Sequence, residues 1–475
     1  MEREPIERPG GAPLVDAFRV CVERDPAAPL LLAPDRTASR AELRDLAAAL
    51  HRVLPDPGPQ RLVAVAAADG PAFLAALLAV WRRGLVPLLL DRDTPAARRL
   101  ELARALGAAA EVSCTEAWPA AVDAFRIRAF GAEARYADAA LIKLTSGSTG
   151  APRGIRVSAA ALVADSTAIE QAMGIGVADR VLAAVPMSFS YGLGSLAIPA
   201  LIAGRQLVVA ADAAPLGRMA AARRCAASVL PTVPVFLEAL LHRPDHWELP
   251  PSLRLVISAG APLAPHVALR FRRRFGRPVH VFYGASECGG ITYDPTGTAA
   301  ERGTVGVPVP GVTVAIDPAT DSLSVRSPSV ACGYLPEQPA VLDGVAFHSS
   351  DCGRFAGAEL QLTGRHGLVF NIGGNKVNPR EVEQAILRLN GVDDVHVMAV
   401  ARARQGSDVC CAVVATRCPD LDARRIRSWC QQHLAPFQRP RRIVLVPELP
   451  RSPRGKLRIE TIQALLDAPP RRANA

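Results

Sequence analysis

Lysine is almost missing from this chain. Of 55 basic residues in 475, only Lys143, Lys376 and Lys456 are lysine, and the rest are arginine. With alanine and proline also abundant, this reads as a GC-rich coding bias. The net charge of +10 is therefore weak evidence for a nucleic-acid partner. Aromatic residues are scarce, at 5%, and no basic block interleaves with them, which argues further against nucleic-acid binding. Ten cysteines are present, yet none forms a CxxC pair, which argues against a zinc site. Several lie in apolar runs such as Val409-Cys410-Cys411-Ala412, where cysteine acts as a small hydrophobe. No repeat of 20 to 50 residues is visible, which argues against a solenoid or propeller. The longest apolar stretch, Phe73 to Trp81, is too short to cross a bilayer. Met1 to Arg8 is charged and lacks the apolar core of a secretory signal. The expectation is a reduced, soluble, cytoplasmic protein.

What is present is globular. Hydrophobic residues make up 49% and charged residues 21%, and the length suggests two to four domains' worth of mass. Leu62 to Ala66 reads as a buried strand, Pro71 to Arg82 as a helix with proline at its start, and Leu85 to Leu90 as the next strand. Similar units follow at 181–210 and 229–282, the last with a helix over 265–275. Apolar strands alternating with helices predict parallel α/β layers. After about residue 300, Gly/Pro/Val-rich segments (304–316, 323–330) read as antiparallel strands. From 363 onward the pattern is α+β: helices over 381–389 and 421–434, and strands over 392–402, 408–416 and 443–446. The tail over 469–475 reads as frayed.

The segment with the strongest chemistry is Leu144-Thr145-Ser146-Gly147-Ser148-Thr149-Gly150-Ala151-Pro152-Arg153-Gly154, which follows the apolar run 139–142. Its glycines let backbone N–H groups approach an anion, its hydroxyls add donors, and Arg153 adds charge. It is a phosphate cradle but not a Walker A loop, because GxxxxGK[ST] is absent. Further along stand Ser258-Ala259-Gly260-Ala261-Pro262, Tyr283-Gly284-Ala285-Ser286-Glu287, Ser349-Ser350-Asp351-Cys352-Gly353-Arg354, Thr363-Gly364-Arg365, Gly373-Gly374-Asn375-Lys376-Val377 and Arg451-Ser452-Pro453-Arg454-Gly455-Lys456.

This ordered series resembles the adenylate-forming superfamily of acyl-CoA synthetases, peptide-synthetase adenylation domains and luciferases, over about residues 30–465. The resemblance implies a large layered α/β N-terminal domain with a β subdomain (1–362), which binds ATP and the acyl group. It also implies a small mobile α+β C-terminal lid domain (363–475), with the active site between them. It implies activation of a carboxylic acid by ATP and Mg²⁺ to acyl-AMP, with release of pyrophosphate. Transfer to a thiol follows, that of coenzyme A or of an acyl carrier protein. Competing readings are an acyl-AMP ligase that loads a carrier protein, and a nucleotide-binding protein without turnover. The retained set Glu287, Asp351, Arg365 and Lys456 argues against the last.

The residue chemistry agrees with these roles. Glu287 is a hard oxygen ligand suited to Mg²⁺ on phosphates. Tyr283 offers a flat face for adenine, with Ala259, Gly260 and Ala261 beside it in the family. Asp351 can accept both ribose hydroxyls, and Arg365 can donate to the same ribose. Lys456 is a compact charge that can reach both carboxylate and α-phosphate oxygens. The Gly373-Gly374 loop would line the thiol's path.

Four positions depart from patterns within the family. Arg153 stands where many members have lysine. Gly367 stands where the hinge is usually Asp or Lys. In Pro186-Met187-Ser188-Phe189-Ser190-Tyr191-Gly192, Phe189 falls where many acyl and aryl ligases carry histidine. Ser190 falls where amino-acid-activating relatives carry an aspartate for the substrate ammonium. An uncompensated ammonium is costly to bury, so a fatty or aryl acid is expected, in a pocket formed by Phe189, Ser190, Tyr191, Gly192 and Gly260.

Overall fold

The computed structural model describes residues 10–56, 58–131, 135–145, 153–212, 214–244, 246–336, 341–365, 370–372, 375–377, 379–401, 408–434, 436, 438–451 and 457–468. They fall into two compact units. The first comprises Met1–Ala315, Ser324–His348 and Ala356–Leu360, and the second Ile316–Leu323, Ser349–Phe355 and Gln361–Ala475.

The first unit is built on two large sheets. One has nine strands, in the order Val307–Pro308, Gly289–Tyr293, His280–Ala285, Leu255–Ser258, Val229–Thr232, Arg180–Leu182, Gln206–Val208, Pro29–Ala33 and Arg36–Ser39. The other has seven: Gly333–Leu335, Arg153–Val157, Leu141–Thr145, Val86–Leu89, Leu62–Ala67, Ala110–Cys114 and Arg126–Ala129. The expected parallel pairing is found among the inner strands. Antiparallel strands flank them, so both sheets are mixed. Sequence runs give a strand's existence but not its direction, because direction depends on the connection's path.

Leu62–Ala67 is buried at every position, as a strand covered on both faces should be. Helix Pro71–Arg82 is buried from Pro71 to Trp81, so its all-round apolar surface faces protein on every side. The Trp81 Nε1 donates to the Ala140 carbonyl at 2.7 Å, which satisfies the indole in that core. Helix Arg40–Val53 starts with a reciprocal cap, in which the Ser39 hydroxyl accepts from Glu42 N and the Glu42 carboxylate accepts from Ser39 N.

The Gly/Pro/Val-rich region contains strands Thr313–Ile316 and Ser322–Arg326, in a four-stranded sheet with Ala346–Ala356 and Glu359–Arg365. In the second unit, Asp394–Ala401, Asp408–Ala415 and Arg442–Val446 make a three-stranded sheet. Val382, Ala385 and Ile386 of helix Pro379–Leu387 and Ile426 and Cys430 of helix Ala423–His433 are buried in its core. Helix Ile459–Asp467 contributes Ile462 and Leu466 to a second apolar cluster with Cys411 and Val413. Among the described residues no helix is long and apolar enough to cross a membrane.

Candidate active site

Three chain segments of the first unit bring the expected groups together. The first is the stem of the phosphate loop. Leu141–Thr145 runs antiparallel to Arg153–Val157, with Thr145 paired to Arg153, so the two ends of the loop are held side by side. Ser146, Gly147, Ser148, Thr149 and Gly150 lie outside the described residues, and of Thr145 only the backbone is described.

The second is the hairpin of His280–Ala285 and Gly289–Tyr293, whose register shifts between Tyr283 and Gly284. A Cβ at Gly284 would lie 2.5 Å from the Gly289 carbonyl oxygen, so only glycine fits at this turn. Ser286 and Glu287 sit at its tip. The Tyr334 hydroxyl donates to Glu287 Oε1 at 2.7 Å, and Ala331 N donates to the Glu287 carbonyl at 2.9 Å. Burial, and then the Glu287 charge, push the Tyr334 phenol well above its ordinary value, so it stays protonated and keeps donating. Tyr334 was not legible as a functional residue. It reaches the site through the pairing of Gly333–Leu335 with Arg153–Val157, and no sequence periodicity encodes that pairing.

The third segment runs from Pro186 into the helical stretch that begins at Ser190. The Ser190 hydroxyl donates to the Ser286 hydroxyl at 2.9 Å, which ties the expected acid pocket to the Tyr-Gly-Ala-Ser-Glu motif. The rings of Tyr191 and Phe282 lie 5.7 Å apart at 39°. Burial drives the Tyr191 phenol far up. A Cβ at Gly192 would lie 2.0 Å from the Pro186 carbonyl, so the segment folds closely on itself. Asp69, at the end of Leu62–Ala67, accepts from Met187 N at 2.8 Å and so anchors this segment to the seven-stranded sheet. Its burial pushes the carboxyl up to about 6. Asp69 was also missed, since it is bonded to a residue 118 positions away.

Between these segments stand the ends of two parallel strands, with Thr232 paired to Ser258. Both hydroxyls are buried and have no hydrogen-bond partner among the described residues, which is expected where a polar ligand meets strand carboxyl ends. Ala259 is buried beyond Ser258, Gly260 turns the chain at φ +78°, and Ala261 is exposed.

In the second unit, Asp351 lies on strand Ala346–Ala356 and its N–H donates to the Ser349 hydroxyl at 3.0 Å. Arg365 ends strand Glu359–Arg365, with only its backbone described. The hairpin of Phe370–Ile372 and Asn375–Val377 pairs Ile372 with Asn375, on either side of Gly373 and Gly374. An isolated bridge from Arg451 to Leu457 brackets Lys456. Gly367, Gly373, Gly374 and Lys456 lie outside the described residues.

The donor set fits Mg²⁺ rather than a metal caged by protein. Among the described residues no group of three or more His, Cys, Asp or Glu converges. Glu287 is one hard carboxylate, and Mg²⁺ commonly takes one or two carboxylates along with substrate phosphates and water.

The model of the AMP-binding enzyme family matches residues 18–335, and that of the AMP-binding enzyme C-terminal domain matches 381–456. The chain belongs to the AMP-binding enzyme family. Among curated members it is 28% identical over 340 residues to the sulfoacetate–CoA ligase of Cupriavidus necator. That match takes in 67% of this chain and 65% of the relative, so less than two thirds of the relative's own length is spanned. It is also 28% identical over 453 residues to the p-hydroxybenzoic acid–AMP ligase of Mycobacterium tuberculosis, covering 88% of this chain and 64% of that protein. Among solved structures, the o-succinylbenzoate CoA synthetase of Bacillus subtilis in complex with its acyl-adenylate intermediate superposes with a TM-score of 0.79. Its identity is 21%, over 95% of this chain and 98% of that one, which shows a shared fold.

Proposed function

We propose that this AMP-binding enzyme activates a carboxylic acid with ATP and passes the acyl group to a thiol. A carboxylate oxygen attacks the α-phosphorus and the bond to the bridging β-phosphate oxygen breaks, giving acyl-AMP and pyrophosphate. A thiol sulfur, that of coenzyme A, then attacks the acyl carbon, and AMP leaves. The observation that carries this reading is the hydrogen bond from Ser190 to Ser286. It joins the acid segment to the motif that bears Tyr283 and Glu287, where the two substrates would have to meet.

Each residue has a role in this reading. Arg153 offers charge to the phosphates at the foot of their loop. Tyr283 and the 259–261 turn receive adenine, and Asp351 and Arg365 the ribose. Lys456 neutralises charge that develops on the carboxylate and α-phosphate oxygens, where preorganised cations gain the most rate. Glu287 would hold Mg²⁺, whose chemistry is to neutralise the phosphate oxygens. Residues 1–362 hold nucleotide and acid, while residues 363–475 turn about Gly367 between half-reactions, with Gly373-Gly374 serving the thiol.

The paired rings of Tyr191 and Phe282 favour an aryl acid over a flexible chain. The alignment of 88% of the chain with an acid–AMP ligase supports a second reading, in which acyl-AMP is the ligase's own product and an acyl carrier protein would take the place of coenzyme A. The ten cysteines are all free, which suits the cytoplasm, where ATP and reduced thiols coexist. ATP–pyrophosphate exchange across fatty, aryl and amino acids tests the reading. Acid-dependent exchange with AMP as the final nucleotide is expected, and formation of ADP and phosphate would overturn it.

A further inference from the structure

The acid segment is held from two sides by charged groups that have no part in the reaction just described. Ala184 and Met187 lie between the end of strand Arg180–Leu182 and the helical stretch at Ser190. The Met187 N–H donates to Asp69 Oδ1 at 2.8 Å, and the Ala184 carbonyl accepts from Arg218 Nη1. Asp69 follows strand Leu62–Ala67 of the seven-stranded sheet. Arg218 lies on helix Pro215–Arg224, whose Met219 and Ala222 pack with Leu182 and Val208 of the nine-stranded sheet. One bond therefore comes from each sheet. Met187 is 0% exposed, so water cannot replace Asp69 as its acceptor. Beyond it the segment folds on itself, with Phe189 N donating to the Pro186 carbonyl at 3.3 Å, and Ser190 then reaches Ser286.

Asp69 stands on a fixed platform. Ala68 N donates to the Cys114 carbonyl at 2.9 Å and Ala72 N to the Ala117 carbonyl at 3.2 Å, so the backbone is tied before and after it. Gly70, between them, has φ +132°, and a Cβ there would lie 3.1 Å from the Ala117 carbonyl oxygen, which suits glycine alone. Gly70 also caps helix Pro71–Arg82, whose positive end favours an anion. Among the described residues, the charges acting on Asp69 are Arg218 from its helix and Arg92 and Asp93 from the turn after strand Val86–Leu89. Burial raises the carboxyl, and the Met187 bond and the two arginines oppose it, which leaves it at about 6. Burial pushes Arg218 down, and the Asp69 charge opposes that. Above pH 6 the ionised carboxylate costs the fold stability. What it supplies is a stronger bond to Met187, because an ionised acceptor holds an N–H roughly twice as strongly as a neutral one.

We propose that Asp69 and Arg218 are positioning residues for the acid, which clamp the backbone on either side of Val185-Pro186 and so hold Ser190 and Tyr191 where the acid binds. The inference rests on the acid-activating reading above. Both groups act through the backbone of the segment. Ionised Asp69 closes the clamp. Protonated Asp69 still accepts from Met187 N through its carbonyl oxygen, but more weakly, and the clamp loosens. Acid affinity should therefore follow the ionisation of Asp69. Nucleotide affinity should not, because the stem of the phosphate loop and the Tyr334–Glu287 bond are built from other segments.

The test uses the full chain with benzoic, cinnamic and octanoic acids, which all stay ionised from about pH 5.5 to 8. Pyrophosphate exchange with acid and MgATP varied in turn reads the two KM values for the acid that exchanges fastest. Asp69→Asn keeps an oxygen for Met187 N and loses the charge, so it should raise the acid KM about tenfold at pH 8 and make it independent of pH. In the parent the acid KM should rise about threefold from pH 8 to 5.5, as the carboxyl begins to protonate. The MgATP KM should stay within about twofold throughout. A carboxylate that only supported the fold would not lose acid affinity in a variant that gains stability at pH 8. Arg218→Met should move the midpoint of the acid profile upward, and Arg218→Lys, which keeps the charge, should restore it. A flat profile in the parent, an Asp69→Asn profile that titrates like the parent's, or equal movement of both KM values overturns the clamp and leaves the reaction standing. Calorimetry with the same acids reads binding alone. Binding that weakens toward pH 5.5 in the parent but not in Asp69→Asn, without exchange, overturns the reaction and leaves the clamp standing. Neither binding nor exchange overturns both.

Discussion

Tyr334→Phe isolates one hydrogen bond in the candidate site. The substitution keeps the ring and removes the hydroxyl that donates to Glu287 Oε1 at 2.7 Å. A hydrogen bond to a charged group contributes about 1.5–3 kcal/mol. Glu287 is only half-buried, so water can replace part of the lost donor, and the lower end applies. About 1.4 kcal/mol is tenfold in an equilibrium constant. If Glu287 holds Mg²⁺ on the nucleotide, a less oriented carboxylate should raise the KM for MgATP about tenfold. The KM for the acid should move by less than about twofold, because Ser190 and the Tyr191–Phe282 pair are untouched. Steady-state exchange kinetics with each substrate varied in turn make the measurement. The effect should also be constant from pH 6 to 9, since burial and Glu287 keep the phenol protonated there. A shift in acid KM with an unchanged MgATP KM would refute the reasoning, and so would an effect that grows with pH.

The remaining expectations concern other parts of the chain. Asp69, raised to about 6 by burial, favours the protonated folded form, so its contribution is full below about 4 and is lost as pH rises through 6. Asp69→Asn should therefore stabilise the protein at pH 8, by up to about 3 kcal/mol in urea melts; lower stability at pH 8 would be the contrary result. Asp179 is held at about 2, where the Arg254 fork, Gly176 N and the Ser228 hydroxyl outweigh desolvation. Its contribution of about 2 kcal/mol should be present above pH 4 and vanish as pH falls through 2, so Asp179→Asn should flatten the acid limb of the stability curve. Lys456→Ala should cut adenylation by about 10²–10³ while sparing thioester formation from supplied acyl-AMP, and equal losses in both would make the lysine structural. α-Amino acids should exchange roughly a hundredfold more slowly than aryl acids, and an amino acid that outruns them all would remove the argument from Ser190.

Features carried by local chemistry were legible in the sequence. The run from Pro71 to Arg82, with proline at its start, gave the helix Pro71–Arg82. The helix over 265–275 and the strands near 62, 255 and 442 follow from runs of the same kind. Glu287 was named from its motif. Features that depend on which strands become neighbours were not legible. Nothing near residue 334 says that its strand will lie beside Arg153–Val157 and deliver a phenol to Glu287, 47 positions earlier. Asp69 follows an alanine-rich strand and looks like a simple strand end, until the nine-stranded sheet's loop at Met187 arrives above it. Both are side-chain contacts across long loops, and one sequence contains no term for those.

The lysine shortage becomes an argument once the arginines are seen in place. Arg205 grips Glu170 with two nitrogens, Nε at 2.5 Å and Nη2 at 3.1 Å, and Arg254 grips Asp179 with Nε and Nη2 at 2.8 and 2.6 Å. Arg99 spans Glu111 and two carbonyls at once. In each case the planar fork is used for what it does best, meeting several acceptors in fixed directions. A chain with this bias would carry arginine at 143 as well if any cation sufficed there. Arginine would need several acceptors in its plane, and among the described residues the two carboxylates whose charge acts on Lys143, Asp165 and Glu287, are already bonded to Gly290 N and to the Tyr334 hydroxyl. A point charge with freely turning donors tolerates such a place, because it needs no fixed plane of acceptors.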